Sequence, residues 1–366
     1  MGTVQPTRQG LSLTHTHFIG DKTYLCQMKK RQVYSLLFLA IAIILVLNYK
    51  DDEKAYIYNE GLIFGTNYHS TYETSKDSDY NLELREHLMD VVDHSLSTFN
   101  KTSIISKINL NEAHQTDSAF ERVFLKAQAI SKLTDGAFDI TVAPLVNRWG
   151  FGYHPEKDSL PSEKEIADLL KIVGFQKIRL ENHQLIKQDS QILLDASAIA
   201  KGYAVDVAAD FLDQKGIENY MVEIGGEIRV KGLNPNGQKW RLGIDKPIDD
   251  VKVSNRELDT IIHLTDMALA TSGNYRQFYY KDGKRYSHTI NPLSGYPVNH
   301  HLLSATVLAP DCMTADALAT ACMVMGAERS LAIINGLPNI ECYLIVDDHG
   351  KNQSLYSDHF IDFLKP

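Results

Sequence analysis

Hydrophobic and polar positions along this 366-residue chain change period several times, and each change predicts an element. In ELREHLMDVVDHSLSTF (83–99), Leu84, Leu88, Val91, Val92 and Leu96 recur at helical spacing. SAFERVFLKAQAISKLTDG (118–136) predicts a helix that opens with a capping box from Ser118 to Glu121 and stops at Gly136. A second box, Ser162 to Glu165, opens a helix ending near Gly174. GLIFGTNYHSTYET (61–74) reads as a strand entry with a polar interruption. The short runs KIRL (177–180), QLIK (184–187) and QILLD (191–195) read as strands. A helix follows from about Ala200 to Leu212, and then strands over 220–232, 240–245 and 260–265. Asp282-Gly283 predicts a hairpin within FYYKDGKRYSHTI (278–290). LSATVLA (303–309) is a further strand, TADALATACMVMG (314–326) a helix ending at glycine, and the last hairpin turns around His349-Gly350.

Between about residue 55 and the end there is no repeat, low-complexity tract or long linker. The pattern predicts one domain over 55–366 of α+β, sandwich-like class, with mixed, mostly antiparallel sheets and helices packed on them. A hydrophobic content of 44% with 23% charged residues supports a folded core rather than a disordered chain.

The first fifty residues follow a different logic. Lys29-Lys30-Arg31 precedes LLFLAIAIILVL (36–47), and polar Asn48 to Glu53 follow. Basic, apolar, polar is the order of an export signal, and 29–50 is read as an uncleaved inner-membrane anchor, with a cleaved secretory signal as the second reading. Met28 stands directly before the basic cluster, so 1–28 reads as a cytoplasmic extension or the product of a start assigned too far upstream. The basic cluster would stay in the cytoplasm and the large domain would lie in the periplasm. Residues 1–50 hold +5 of a net charge of −9, leaving −14 on the remainder. That balance argues against non-specific nucleic-acid binding. Cys26, Cys312, Cys322 and Cys342 have no zinc-site spacing and no evident disulfide framework, although one bridge is compatible with them.

Several stretches are richer in glycine, small and polar residues than folding requires. In DASAIAKGYAVD (195–206) an apolar run meets three small residues and a lysine-glycine pair, which suits either a helix cap or a loop cleared of side chains for a phosphate. In GAFDITVAPLVNRWGFG (136–152), Asp139 sits among apolar residues and either bridges backbone or serves a site. Gly225-Gly226 inside EIGGEIRVKG predicts a bulge or close approach of another backbone or ligand. His288, in a polar strand before Asn291-Pro292 and Ser294-Gly295, is structural or catalytic. Asp316 and Thr320 lie at i, i+4 on one helical face; they form either a hard-oxygen pair suited to Mg²⁺ or a first-turn acid facing the helix dipole, with a neighbouring hydroxyl.

Taken in order, DASAIAKGYAVD, GGEIRVKG, ATSGNYR, YSHTINPLSGYPV and TADALATACMVMG resemble the ApbE family, the FAD:protein FMN transferases. GAFDITVAPLVNRWGFG and LSTFNKTSIISKIN are similar to upstream family motifs, and the likeness runs over roughly 60–345. The resemblance implies a T-fold-like architecture and transfer of FMN from FAD, as substrate, to a threonine or serine hydroxyl with release of AMP and Mg²⁺ as cofactor. It implies metal ligation by the side chains of Asp316 and Thr320 and the carbonyl of Ala198. It places Lys201 near the pyrophosphate or adenosine and Asp195 on FAD. Ala137, Phe138 and Asp139 would contact the cofactor, and Phe99 and Phe64 would border it. His288 would assist deprotonation of the incoming hydroxyl or contact the flavin. Acceptors would be exported subunits of membrane redox pumps bearing an Asp-Ser/Thr-Gly-Ala-Ser/Thr-like motif.

The chain departs from the family pattern at four places. Ala196-Ser197-Ala198 stands for Leu-Gly-Gly, Phe64 for a methionine, Glu223 for an asparagine and Asn291 for an aspartate. Hydrolysis of FAD to FMN and AMP is an alternative reading, and a non-catalytic, membrane-tethered flavin-binding protein is another. The presence of Asp316 and Thr320 argues against the last.

Overall fold

The computed structural model describes Gly2 and residues 30–48, 54–76, 78–155, 159–248, 257–274 and 278–365. The chain divides into Met1–Glu53 and Lys54–Pro366. In the first unit, helix α1 spans Lys30–Asn48, and nearly all of the 1–28 extension lies outside the described residues. Among the described residues, no helix is long and apolar enough to cross a membrane.

The second unit begins with β1 (Lys54–Ile63) and β2 (Thr66–Ser75), followed by α2 (Asn81–Leu88) and α3 (His94–Leu96), which a single π-turn joins. Then come α4 (Ile104–Asn109), α5 (Ser118–Leu133), α6 (Ala143–Arg148), α7 (Glu163–Leu170), β3 (Ile178–Glu181), β4 (Gln184–Lys187) and α8 (Ala200–Gln214). Strands β5 (Tyr220–Ile224), β6 (Glu227–Lys231), β7 (Trp240–Asp245), β8 (Leu258–Leu264), β9 (Met267–Gly273), β10 (Phe278–Lys281), β11 (Lys284–Ser287) and β12 (Leu302–Ala309) follow. The chain closes with α9 (Cys312–Met325), α10 (Ala327–Ile334), β13 (Glu341–Asp348) and β14 (Lys351–Tyr356).

Eight strands form one sheet in the order β1-β2-β5-β6-β9-β12-β13-β14, every neighbour antiparallel. Side chains alternate between its faces. On β9 and β13, Ala268, Ala270, Cys342 and Leu344 join the cluster under α8 and α9. Leu269, Tyr343 and Ile345 face the other way, into a cluster with Trp240, Leu242 and Ile262 of the separate β7–β8 hairpin. The sheet is therefore covered on both faces, as the sandwich-like expectation requires. A third cluster, Leu145, Trp149, Ile166, Val173 and Ile290, lies under α6 and α7.

Local differences from the sequence reading have local causes. Strand 61–74 is a hairpin, because Phe64 and Gly65 both take left-handed backbone (φ 51 and 73) in a two-residue turn. Gly225 and Gly226 (φ 66 and 100) make the β5–β6 turn rather than a bulge. The Ser162–Glu165 capping box forms as expected. The cap of α5 is instead Asp117, whose carboxylate accepts from the Phe120 amide, while Glu121 accepts from the Thr116 hydroxyl and meets His183. No strand pairs with 191–195 among the described residues. Its buried Leu194 is held by the Asn109 side chain, which accepts from the Leu194 amide at 2.8 Å and donates to its carbonyl at 2.9 Å.

Candidate functional site

A cleft of ≈ 1070 Å³ opens where the starts of α8 and α9 meet the β5–β6 turn and β9. Phe64, Phe99, Ala137, Phe138, Asp139, Asp195, Ala198, Lys201, His288, Asp316 and Thr320 all line it, although they come from segments up to 256 residues apart. Every site residue expected from the sequence therefore borders one space. The Tyr275-Arg276 end of the ATSGNYR motif lies outside the described residues.

The stretch from Asp195 is built for close approach. The Asp195 amide donates to the Ile140 carbonyl, and its carboxylate accepts from the Ser197 amide and hydroxyl, so it closes a short turn. Helix α8 then starts without a side-chain cap, and the Gly202 amide donates to Asp316 Oδ2 at 2.9 Å. A Cβ at Gly202 would lie 2.4 Å from the Cys312 carbonyl oxygen and 2.7 Å from Asp316 Cβ, so only glycine lets the two helices come this near. A helix does begin there, but without the side-chain cap of the first reading, and small residues clear its start.

Lys201 forms an ion pair with Glu227 of β6. Burial opposes the lysine charge, but the carboxylates of Glu227 and Asp316 outweigh it and hold the ammonium above the usual lysine range. Burial raises both carboxylates above their usual range, with Lys201 pulling each back. Glu227 is 3% exposed, and its Oε2 has no hydrogen-bond partner among the described residues. Thr320, one turn beyond Asp316 on α9, has its hydroxyl 3.2 Å from that of Ser272 on β9.

Asp139 bridges backbone. Its Oδ1 accepts from the Thr141 amide (2.8 Å) and hydroxyl (2.7 Å), and its Oδ2 from the Phe175 amide (2.7 Å). Burial raises its carboxyl, and these donors partly offset the rise. Phe99 stands at the rim with 82% of its surface exposed. His288 follows β11 with its ring edge-on to Phe151, 6.4 Å between centroids. Beyond it, Asn291 accepts from the Leu293 and Ser294 amides, and the Trp149 indole donates to the Gly295 carbonyl, which fixes that turn.

Among the described residues, seven acids line the cleft (Asp93, Asp139, Asp195, Glu223, Glu227, Asp245 and Asp316) against one lysine. Among the described residues, no group of three or more His, Cys, Asp and Glu side chains could hold a metal ion. Cys312, Cys322 and Cys342 are buried and unbridged. Sequence reasoning passed over Glu227, Ser272 and Asn109. The one signal for Glu227 is an acid directly after two glycines, at the start of a strand whose other charges, Arg229 and Lys231, are basic.

The ApbE family model matches residues 64–344. A Vibrio cholerae FAD:protein FMN transferase is 40% identical over 332 residues, covering 89% of this chain and 98% of that protein. The solved flavin transferase ApbE from Vibrio cholerae superposes with a TM-score of 0.76 at 39% identity, covering 85% of this chain and all of that one. The apo flavinyl transferase ApbE of Pseudomonas stutzeri gives 0.75 at 31% identity, covering 86% of this chain and 98% of that one. Fold, cleft and relatives together define an enzyme of the flavin-transferase class. The chain belongs to the ApbE family.

Proposed function

We propose that this enzyme moves FMN from FAD to a serine or threonine hydroxyl of an acceptor protein and releases AMP. The observation that carries this reading is the meeting of Ala198, Lys201, Asp316, Thr320 and His288 on one cleft in a chain of this family. The acceptor oxygen forms a bond to the flavin-side phosphorus, the bond from that phosphorus to the bridging oxygen breaks, and the bridging oxygen leaves with AMP. The hydroxyl proton passes to a ring nitrogen of His288.

The donors suit Mg²⁺. The Asp316 carboxylate, the Thr320 hydroxyl and the Ala198 carbonyl are hard oxygens, and the partnerless Glu227 Oε2 adds negative potential beside them. When bound, the ion would neutralise pyrophosphate charge and make AMP a better leaving group. An anionic substrate in so acidic a cleft needs that charge, since Lys201 is the one lysine lining it among the described residues. Lys201 contacts the pyrophosphate or adenosine and Asp195 hydrogen-bonds FAD. Phe64, Phe99 and the Ala137–Asp139 wall border the flavin nucleotide.

The acceptors fitting this reading are exported redox-pump subunits with the Asp-Ser/Thr-Gly-Ala-Ser/Thr-like motif, and the apolar 36–47 segment would anchor the enzyme on their side of the inner membrane. Deleting residues 1–50 should then move the protein from the membrane to the soluble fraction; unchanged fractionation would discard the anchor. For the chemistry, the full chain is incubated with FAD, Mg²⁺ and an acceptor, which is then weighed by mass spectrometry. An FMN-sized gain that Asp316→Ala abolishes supports transfer. AMP and free FMN beside an unmodified acceptor would replace it with hydrolysis.

A further inference from the structure

Helix α9 already has its own cap. Asp311 accepts from the Thr314 amide at 2.8 Å, which satisfies one of the free donors at the helix start. The two amides before it, those of Cys312 and Met313, donate instead to Oδ1 and Oδ2 of Asp206, each at 2.9 Å. Asp206 lies 106 residues earlier, on α8, and is 1% exposed.

This contact has a reciprocal one turn away. Gly202 and Asp206 are i, i+4 on α8, and Cys312 and Asp316 are i, i+4 on α9. Asp316 reaches from α9 to the Gly202 amide, and Asp206 reaches from α8 to the α9 amides. Two such points, about 6 Å apart along each axis, fix both the slide and the rotation of one helix on the other. Strand β6 adds a third member. Arg229 pairs with Asp206 at 2.8 Å, and Glu227, two residues away on the same face of β6, pairs with Lys201.

We infer that Asp206 is a positioning residue for the catalytic cleft: it sets where Asp316 and Thr320 of α9 stand relative to Ala198 and Lys201 at the start of α8. The inference rests on the transfer reading and on those residues holding a divalent cation. Asp206 itself does not line the cleft. Asparagine in its place keeps the size but replaces one acceptor oxygen with an NH₂ that faces a backbone N–H.

The test compares Asp206→Asn with Asp210→Asn. Asp210 is one turn along the same helix, in half-exposed contact with Arg122 and Arg229. Mn²⁺ affinity is measured by electron paramagnetic resonance in the presence of FAD, with Mg²⁺ dependence of transfer and thermal melting alongside. Asp206→Asn should weaken Mn²⁺ binding by about tenfold or more, as loss of a group that orients metal ligands does. Its transfer rate should return towards wild type at saturating Mg²⁺, and Asp210→Asn should keep wild-type affinity. Arg229→Lys should shift affinity in the same direction by less, which keeps the inference testable if Asp206→Asn does not fold. A lowered melting temperature with unchanged Mn²⁺ affinity, in whichever of the two variants folds, would reduce Asp206 to a structural residue. A wild-type protein that transfers no flavin would overturn the functional reading instead.

Discussion

The side-chain amide of Asn109 hydrogen-bonds both backbone groups of Leu194, doing for one residue what a neighbouring strand does for a whole run. Leu194 directly precedes Asp195 and the small residues that line the cleft, so α4 holds the site from outside it.

Asn109→Ala should leave the buried Leu194 N–H and C=O unpaired. At about 1–3 kcal/mol per buried orphan, the loss of both should be about 2–6 kcal/mol in urea unfolding. FAD affinity should fall with it, because the turn at Asp195 loses its footing. Unchanged stability would show that water replaces the amide.

Gly202→Ala should destabilise the protein by about 1–3 kcal/mol through overpacking, the usual cost of an added methyl in a closed contact. The new methyl meets backbone rather than a flexible side chain, so α9 must move. Flavin transfer should drop by more than the melting temperature suggests. Equal activity per folded molecule would argue that Asp316 tolerates the shift.

Glu165 provides a pH prediction. The Ser162 amide and hydroxyl, with Arg148, hold its carboxyl down from its ordinary value of 4.5 to about 2. The folded value lies below the unfolded one, so the capping box contributes stability above pH 4.5 and loses it as pH falls towards about 2. The stability difference between wild type and Glu165→Gln should therefore shrink over that window in denaturant titrations. A constant difference would mean the carboxylate charge contributes nothing to the cap.

Burial pushes all three described cysteine thiols up, Cys322 to about 11. Because the thiolate is the reactive form, Cys312, Cys322 and Cys342 should resist an aromatic disulfide reagent at pH 8 and react once urea unfolds the chain. Rapid native-state labelling of any of them, mapped by peptide mass, would contradict the packing around α9 and β13.

Elements whose determinants lie within a few residues were legible before the structure. The Ser162–Glu165 box, the Asp282-Gly283 hairpin and the helices from Ala200 and through Asp316 all carry their signals locally. Legibility failed where a distant partner decides. The apolar run 191–195 has strand composition, but Asn109 occupies the hydrogen-bonding groups of Leu194. Ser118 has a cap's sequence context, but Asp117 is one residue better placed to reach the Phe120 amide. The site residues were found as a set through ordered motifs, whereas Glu227 and Asp206 act through partners 26 and 106 residues away.

The start of α8 has a consequence for anyone mapping this enzyme by mutation. Of the residues there that line the cleft, Ala198 and Ala200 are already alanine, so an alanine scan leaves them untouched. Such a scan would register Gly202 and Lys201 but pass over this part of the wall. Scanning with bulk, by placing valine or leucine at each position in turn, would reveal it.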